Sequence, residues 1–225
     1  MNYLKTSQQA DVESFVESMP MQYRGAAFGD FPEINKKLIS GFYENWKVFI
    51  SYRDIENNVR DESGDLVNMG AKPNADALAK RDFSKNPSLY ICGGVGIGKT
   101  RMLYAILQQS QVDVCHATLV KANVFFKELQ ALAVKDSSEA RSKLMNMADT
   151  KGFLLIDDLG SSKISEFVVS EFDYLIDHRY EWGLPTVISS NLSIEDIKNH
   201  FSPRIASRLQ AGLIFKGKGN DRRLK

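Results

Sequence analysis

Gly93-Gly94-Val95-Gly96-Ile97-Gly98-Lys99-Thr100 is the stretch that decides the fold. It fits the phosphate-loop template GxxxxGK[ST], and its neighbours are the ones that template needs. Ser88-Leu89-Tyr90-Ile91-Cys92 before it reads as a short buried strand, and Arg101 to Gln109 after it reads as a helix. Between a strand and a helix, glycines let backbone N–H groups close around a phosphate chain, and the helix N-terminus adds partial positive charge. Lys99 then reaches the terminal phosphates and Thr100 ligates Mg²⁺. A Gly-rich turn preceding Lys-Thr by chance would lack the correctly placed strand and helix. Residues Gly93 through Thr100, with Arg101 opening the helix, are therefore the expected nucleoside triphosphate site.

Around this site the 225 residues are 43% hydrophobic and 25% charged, the range of a globular chain able to bury a sizeable core. No apolar run approaches the roughly 18 residues of a membrane span. The opening Met-Asn-Tyr-Leu-Lys leads into polar residues without a signal-peptide apolar core, so a cytoplasmic location and no membrane partner are expected. The two cysteines, Cys92 and Cys115, lie in predicted strands without CxxC spacing and read as buried small hydrophobes. The three histidines, His116, His178 and His200, are scattered. A net charge of +1 argues against a uniformly basic DNA-coating chain, and leaves room for a basic strip assembled from small patches in an oligomer.

From about residue 88 onward strand and helix signals alternate, the pattern of a parallel sheet covered by helices. Strands are predicted at Ser88 to Cys92, Asp113 to Thr118, Gly152 to Ile156, Pro185 to Ser189 and Gly212 to Lys216. Helices are predicted at Arg101 to Gln109, Ala122 to Val134, Ser138 to Asp149 and Ser165 to Trp182, with short ones near Ile194 to His200 and Pro203 to Leu209. The long helix carries Ile164, Val168, Phe172, Leu175 and Ile176 on one face, with Glu166, Glu171, Asp173 and Asp177 mostly elsewhere. Upstream, Asp11 to Met19 reads as a short amphipathic helix. Pro32 to about Val59 reads as another, with Leu38, Phe42, Trp46, Phe49 and Ile50 as its apolar stripe. Asp61 to Pro87 has little periodicity, and a loop of that length is either mobile or functional.

Further chemistry gathers where predicted strands end. Phe153-Leu154-Leu155-Ile156-Asp157-Asp158 is an apolar strand ending in two carboxylates, and in a parallel sheet that end shares an edge with the phosphate loop. This is a Walker B arrangement: Asp157 would hold the Mg²⁺ hydration shell and Asp158 would polarise the attacking water. An aspartate pair capping a helix is the plainer reading of the same residues. Many such ATPases carry Glu at the second place, which reaches about 1.5 Å further than Asp. Ser189-Ser190-Asn191 ends the next strand, and Asn191 either orients the lytic water, as at the sensor 1 position of AAA+ ATPases, or caps the helix after it. Arg204 and Arg208 lie four apart on one helical face, with Arg208 the candidate arginine finger toward a neighbouring subunit's ATP and Arg204 beside it.

Together these elements resemble the DnaC/IstB family of AAA+ ATPases, which includes the DnaC- and DnaI-type helicase loaders and the IstB-type transposition helpers. The resemblance begins at Met19-Pro20-Met21-Gln22-Tyr23-Arg24 with Phe28 and Phe31, and runs through the phosphate loop and Ile156-Asp157-Asp158-Leu159-Gly160. It continues through His178-Arg179-Tyr180, Leu184-Pro185-Thr186, Ser190-Asn191, Arg204, Arg208 and the Lys216-Gly217 tail with Asp221-Arg222-Arg223. It implies an α/β, ASCE-type P-loop core with a five-stranded parallel sheet of order 5-1-4-3-2 flanked by helices, and a ring or helical homo-oligomer with ATP at subunit interfaces. It also implies action on another protein at DNA. Helicase loaders carry a separate N-terminal module, whereas only Met1 to Ser18 precedes the lead-in motif here. The expected organisation is a short helical extension over 1–18 and an ATPase domain over 19–225, with an insertion at about 61–87.

The leading reading is an ATP-hydrolysing AAA+ replication factor of the helicase-loader type, using Mg²⁺, with single-stranded DNA and a replicative helicase as partners. Alternatives kept open are a transposition helper acting on a transposase, and an ATP-switched DNA-binding scaffold with little turnover. A small-molecule kinase fits less well, because no Arg-rich lid segment is present and the acid pair suits water activation. Lys121, Lys127, Lys163 and the Lys216 to Lys225 tail are the candidate DNA contacts.

Overall fold

The computed structural model of the chain describes residues 14–32, 36–46, 88–113, 116–161 and 164–217. Five parallel strands form one sheet: β1 (Ser88–Gly93), β2 (Ala117–Lys121), β3 (Phe153–Leu159), β4 (Thr186–Ser190) and β5 (Leu213–Gly217), ordered β2-β3-β4-β1-β5. This is the expected order 5-1-4-3-2 read from the other edge. The central strands β1, β3 and β4 are almost wholly buried because helices cover both their faces. Edge strands β2 and β5 are only partly buried.

The two-residue period of a strand divides the core into two layers. Tyr90, Cys92, Leu154, Ile156 and Ile188 face one way, against α2 (Ala122–Lys135), α3 (Ser137–Ala148), α4 (Glu166–Glu181), α5 (Ile194–His200) and α6 (Pro203–Gln210). Leu89, Ile91, Phe153, Leu155 and Val187 face the other way, against α1 (Lys99–Val112) and the helical residues 36–46. Phe42 and Trp46 of the expected N-terminal stripe are buried in this second layer, with Leu38 packed at its margin. Phe49 and Ile50 lie outside the described residues, as do 1–13 and the expected insertion at 61–87.

Local chemistry sets most helix starts. Asp136 accepts from the N–H groups of Ser138 and Glu139 at α3, Ser165 from Val168 at α4, and Ser193 from Asp196 at α5. Ser202 accepts from Ile205 at α6, with Pro203 in the first turn, where its missing N–H costs nothing.

Two expectations need correction. The strand predicted over Asp113 to Thr118 is β2 at Ala117–Lys121, because α1 runs on to Val112 and Asp113 caps it. The Asp113 carboxylate accepts from the Tyr43 hydroxyl at 2.8 Å and from Gln109 Nε2 at 3.1 Å, contacts no local pattern reveals. On α4, Asp177 does not lie away from the buried side: it is 8% exposed.

Arg179 on α4 is 1% exposed. Its guanidinium donates to Thr186 Oγ1 at 2.8 Å and to the carbonyls of Met147, Ala148, Thr150, Gly152 and Pro185 at 2.7–3.4 Å. It thereby satisfies an orphan carbonyl at the end of α3 and ties α4 to the starts of β3 and β4. Burial pulls its pKa down to about 9, so it stays charged at neutral pH. This cluster lies at the opposite ends of the strands from the phosphate loop, and its role is structural.

Candidate nucleotide site

The carboxyl ends of β1, β3 and β4 converge on a cleft of about 860 Å³. The loop from β1 to α1 forms its floor. Gly93, at φ +147°, passes so close to β5 that an added Cβ would sit 2.5 Å from the Gly217 carbonyl oxygen. Gly98, at φ +97°, is the left-handed N-cap of α1, and it turns the first-turn N–H groups of that helix toward the cleft. Val95 is exposed at the loop tip and lines the cleft, whereas Ile97 is buried and is not among the lining residues.

Lys99 is 8% exposed, and its ammonium donates to the carbonyls of Gly93 and Gly94 at 2.8 Å and to Asn191 Oδ1 at 2.6 Å. A second chain of hydrogen bonds joins the acids. Thr100 Oγ1 donates to Asp157 Oδ1 at 3.0 Å, and Ser189 Oγ donates to the same oxygen at 2.6 Å. Ser189 Oγ also accepts from the Asp158 N–H at 3.0 Å. The pairing of β3 with β4 shifts register between Ile156 and Leu159. Within that shift Asp158 takes φ +58°, the only non-glycine positive φ among the described residues. Its left-handed backbone bends the strand there, and both acids line the cleft, Asp157 buried and Asp158 half-buried.

These residues suit Mg²⁺. A hydroxyl and one carboxylate are adjacent hard oxygen donors, and Mg²⁺ is typically held by one or two carboxylates plus substrate phosphates and water. No cluster of three or more acidic, histidine or cysteine side chains suited to a metal occurs among the described residues.

Gln22 and Tyr23 of the lead-in segment also line the cleft, with Lys121 and Asn123. Arg101 holds that segment in place: its guanidinium donates to Asp30 Oδ2 at 2.8 Å and to the Gln22 carbonyl at 3.1 Å. The Tyr23 ring stacks on Tyr104 of α1 at 4.3 Å. Arg101 thus lines the cleft with its guanidinium engaged by the lead-in segment. Lys121, a candidate DNA contact, sits at the cleft because it pairs with Asp157 across β2 and β3. Lys163 and residues 218–225 lie outside the described residues.

Arg204 and Arg208 are not among the cleft-lining residues. Both donate to Asp177: Arg208 Nε to Oδ1 at 2.9 Å, Arg204 Nε to Oδ1 at 3.2 Å, and Arg204 Nη2 to Oδ2. The Arg208 guanidinium also lies over the Tyr180 ring, 4.2 Å from its centroid. Burial pushes the Asp177 carboxyl up, but the hydrogen bonds and charges of Arg208 and Arg204 outweigh it and hold the group below the ordinary range. One turn earlier, burial pushes Asp173 up. Burial also raises the Cys92 thiol, in keeping with a small core hydrophobe.

The cleft therefore gathers the phosphate loop, Asp157, Asp158 and Asn191. Sequence reasoning named Ser189 beside Asn191, Gln22 and Tyr23 in the lead-in motif and Asp177 on the long helix, but gave none of them a role at the site. The spacing of Asp173 and Asp177, four apart as Arg204 and Arg208 are, is the one available hint of that pairing.

The profile of the bacterial DnaA ATPase domain matches residues 54–216. The replicative helicase loader DnaI of Bacillus subtilis (strain 168) is 32% identical over 122 residues, covering 54% of this chain and 38% of that protein. The chain spans well under half of the length of the curated relatives it matches. A crystal structure of DnaI superimposes with a TM-score of 0.58 at 20% identity, covering 91% of this chain and 94% of the other. The replication initiator DnaA bound to AMPPCP and single-stranded DNA gives 0.54 at 18% identity, covering 68% and 49%. Among the described residues, no helix is long and apolar enough to cross a membrane.

Proposed function

The chain belongs to the AAA+ family of the bacterial DnaA ATPase domain, and from that premise we propose that it binds ATP with Mg²⁺ in the cleft and hydrolyses it where copies of the chain meet, acting in DNA replication as a helicase-loader-type factor. The observation that carries this reading is the pair of hydrogen-bond chains at the strand ends, Lys99 to Asn191 and Thr100 to Asp157 to Ser189 to Asp158. A cation, two hydroxyls, two carboxylates and an amide along the lining of one cleft support it.

In this reading the Lys99 ammonium exchanges its loop carbonyls and Asn191 for phosphate oxygens, a trade of neutral acceptors for charged ones. Thr100 and Asp157 hold Mg²⁺, which when bound neutralises charge on the terminal phosphates. Asp158 accepts a proton from the attacking water, Asn191 orients that water, and Gln22 and Tyr23 border the nucleotide. Arg208, with Arg204 beside it, serves the site of the adjacent copy. The DnaI relative supports a replicative helicase as the protein partner, and the DnaA complex supports single-stranded DNA as the nucleic-acid one.

The test is Lys99→Ala on folded protein, with ATP binding and turnover measured with and without single-stranded DNA, and co-elution with the purified replicative helicase. Loss of binding or turnover is expected. Wild-type values for both would remove the nucleotide reading, and DNA-independent, negligible turnover by the wild type would favour a switch over an enzyme.

A further inference from the structure

Asp177 and Arg208 are separated by 31 residues in sequence and joined by one hydrogen bond, Nε to Oδ1 at 2.9 Å. Asp177 is nearly buried at the α4–α6 contact and accepts from two arginines at once. A guanidinium on a flexible stem has many rotamers, and most surface ion pairs contribute little because the side chains stay mobile. Arg208 is held differently. Its Nε edge is taken by a carboxylate fixed on α4, and its flat face rests on Tyr180, three residues further along the same helix. An edge contact and a face contact together determine both the direction and the plane of the group.

We infer that Asp177 and Tyr180 are positioning residues that fix Arg208 in the orientation in which it is presented to the nucleotide of a neighbouring copy. This rests on the proposed arrangement of ATP between copies. Pre-orientation matters because a displacement of about 1 Å in a group acting on the transition state costs on the order of 10²-fold in rate. The carboxylate accepts from Arg208 Nε and Arg204 Nε through Oδ1 and from Arg204 Nη2 through Oδ2, whereas Asn keeps one acceptor oxygen and sets an amide NH₂ donor against a guanidinium. The predicted defect of Asp177→Asn is therefore in turnover and not in ATP binding, and it travels with the chain that donates the arginine.

Four full-length preparations test this at a concentration where oligomers form. Asp177→Asn should lower kcat about 10²-fold with ATP affinity within about twofold. Asp177→Asn/Arg208→Ala should be no slower than Arg208→Ala, because Asp177 acts through Arg208. Mixing Asp177→Asn with Lys99→Ala should restore turnover, since the Lys99→Ala chain lends an intact Asp177–Arg208 pair to a site with intact Lys99. A packing defect would stay with the Asp177→Asn chain and would not be restored. Should Asp177→Asn fail to fold by circular dichroism, Tyr180→Leu supplies the same comparisons.

The inference is overturned by unchanged or raised kcat in Asp177→Asn, by an added loss in the double variant, or by absent recovery in a mixture where Arg208→Ala does recover. If Arg208→Ala itself turns over like the wild type, or is never restored by Lys99→Ala in verified mixed oligomers, the arrangement between copies fails first. That failure is read from Arg208→Ala alone.

Discussion

Ser189→Ala removes one buried hydroxyl and disturbs both acids. The Ser189 hydroxyl donates to Asp157 at 2.6 Å and accepts from the Asp158 N–H at 3.0 Å, and the residue is 1% exposed. Losing a hydrogen bond to a carboxylate costs about 1.5–3 kcal/mol, and a buried N–H left without an acceptor costs about 1–3 kcal/mol. Thr100 still donates to Asp157, so the two do not add in full, and about 2–4 kcal/mol is expected. For a chain of this size that lowers the unfolding midpoint by roughly 4–16 °C. The functional effect is separate: an Asp157 carboxylate held by Thr100 alone is less well fixed, so half-maximal turnover should need more Mg²⁺ at fixed ATP. Thermal unfolding and a Mg²⁺ titration of ATP turnover measure the two. A variant with the wild-type midpoint and the wild-type Mg²⁺ dependence would refute the reasoning, since the Ser189 hydroxyl bonds both Asp157 and Asp158 whereas Thr100 bonds Asp157 alone.

The acids themselves should differ: Asp158→Asn keeps ATP bound and slows hydrolysis, whereas Asp157→Asn weakens the Mg²⁺-dependent part of binding, and equal loss with no Mg²⁺ effect would reverse the assignment. Arg179→Met leaves five backbone carbonyls and the Thr186 hydroxyl without their shared donor and should destabilise by about 3–5 kcal/mol, read by denaturant unfolding; a loss below about 1 kcal/mol would mean that water replaces the guanidinium. The Asp177 carboxyl is held below its unfolded value, so its contribution is complete above about pH 3.9 and fades as pH falls toward the lower folded value. Asp177→Asn should therefore be less stable than wild type at pH 7 and converge with it in acid. Asp173 is raised by burial and has the opposite sign, so Asp173→Asn should not converge in that way, and parallel pH curves for wild type and Asp177→Asn would contradict the assignment.

The parallel sheet and the phosphate loop were legible because their causes are local. A run of eight residues carries the loop geometry, and strand period and capping serines mark the elements around it. Asp157, Asp158 and Asn191 could be placed at one edge because every strand of a parallel sheet delivers its carboxyl end to the same side. Tertiary structure alone decided what those side chains touch. Tyr23 reaches the cleft only because Arg101 ties the lead-in segment to α1 across 71 residues of sequence, from Asp30. Asp177 reads as solvent-facing by helical period, yet it is nearly buried because α6 lays two arginines over that part of α4. Hydrophobic periodicity reports which face of an element meets the core, and it is blind to a charge buried by opposite charges from a distant element. That blindness separates the nucleotide floor, legible in one short stretch, from the Asp177–Arg208 clamp, which exists only once the chain has folded.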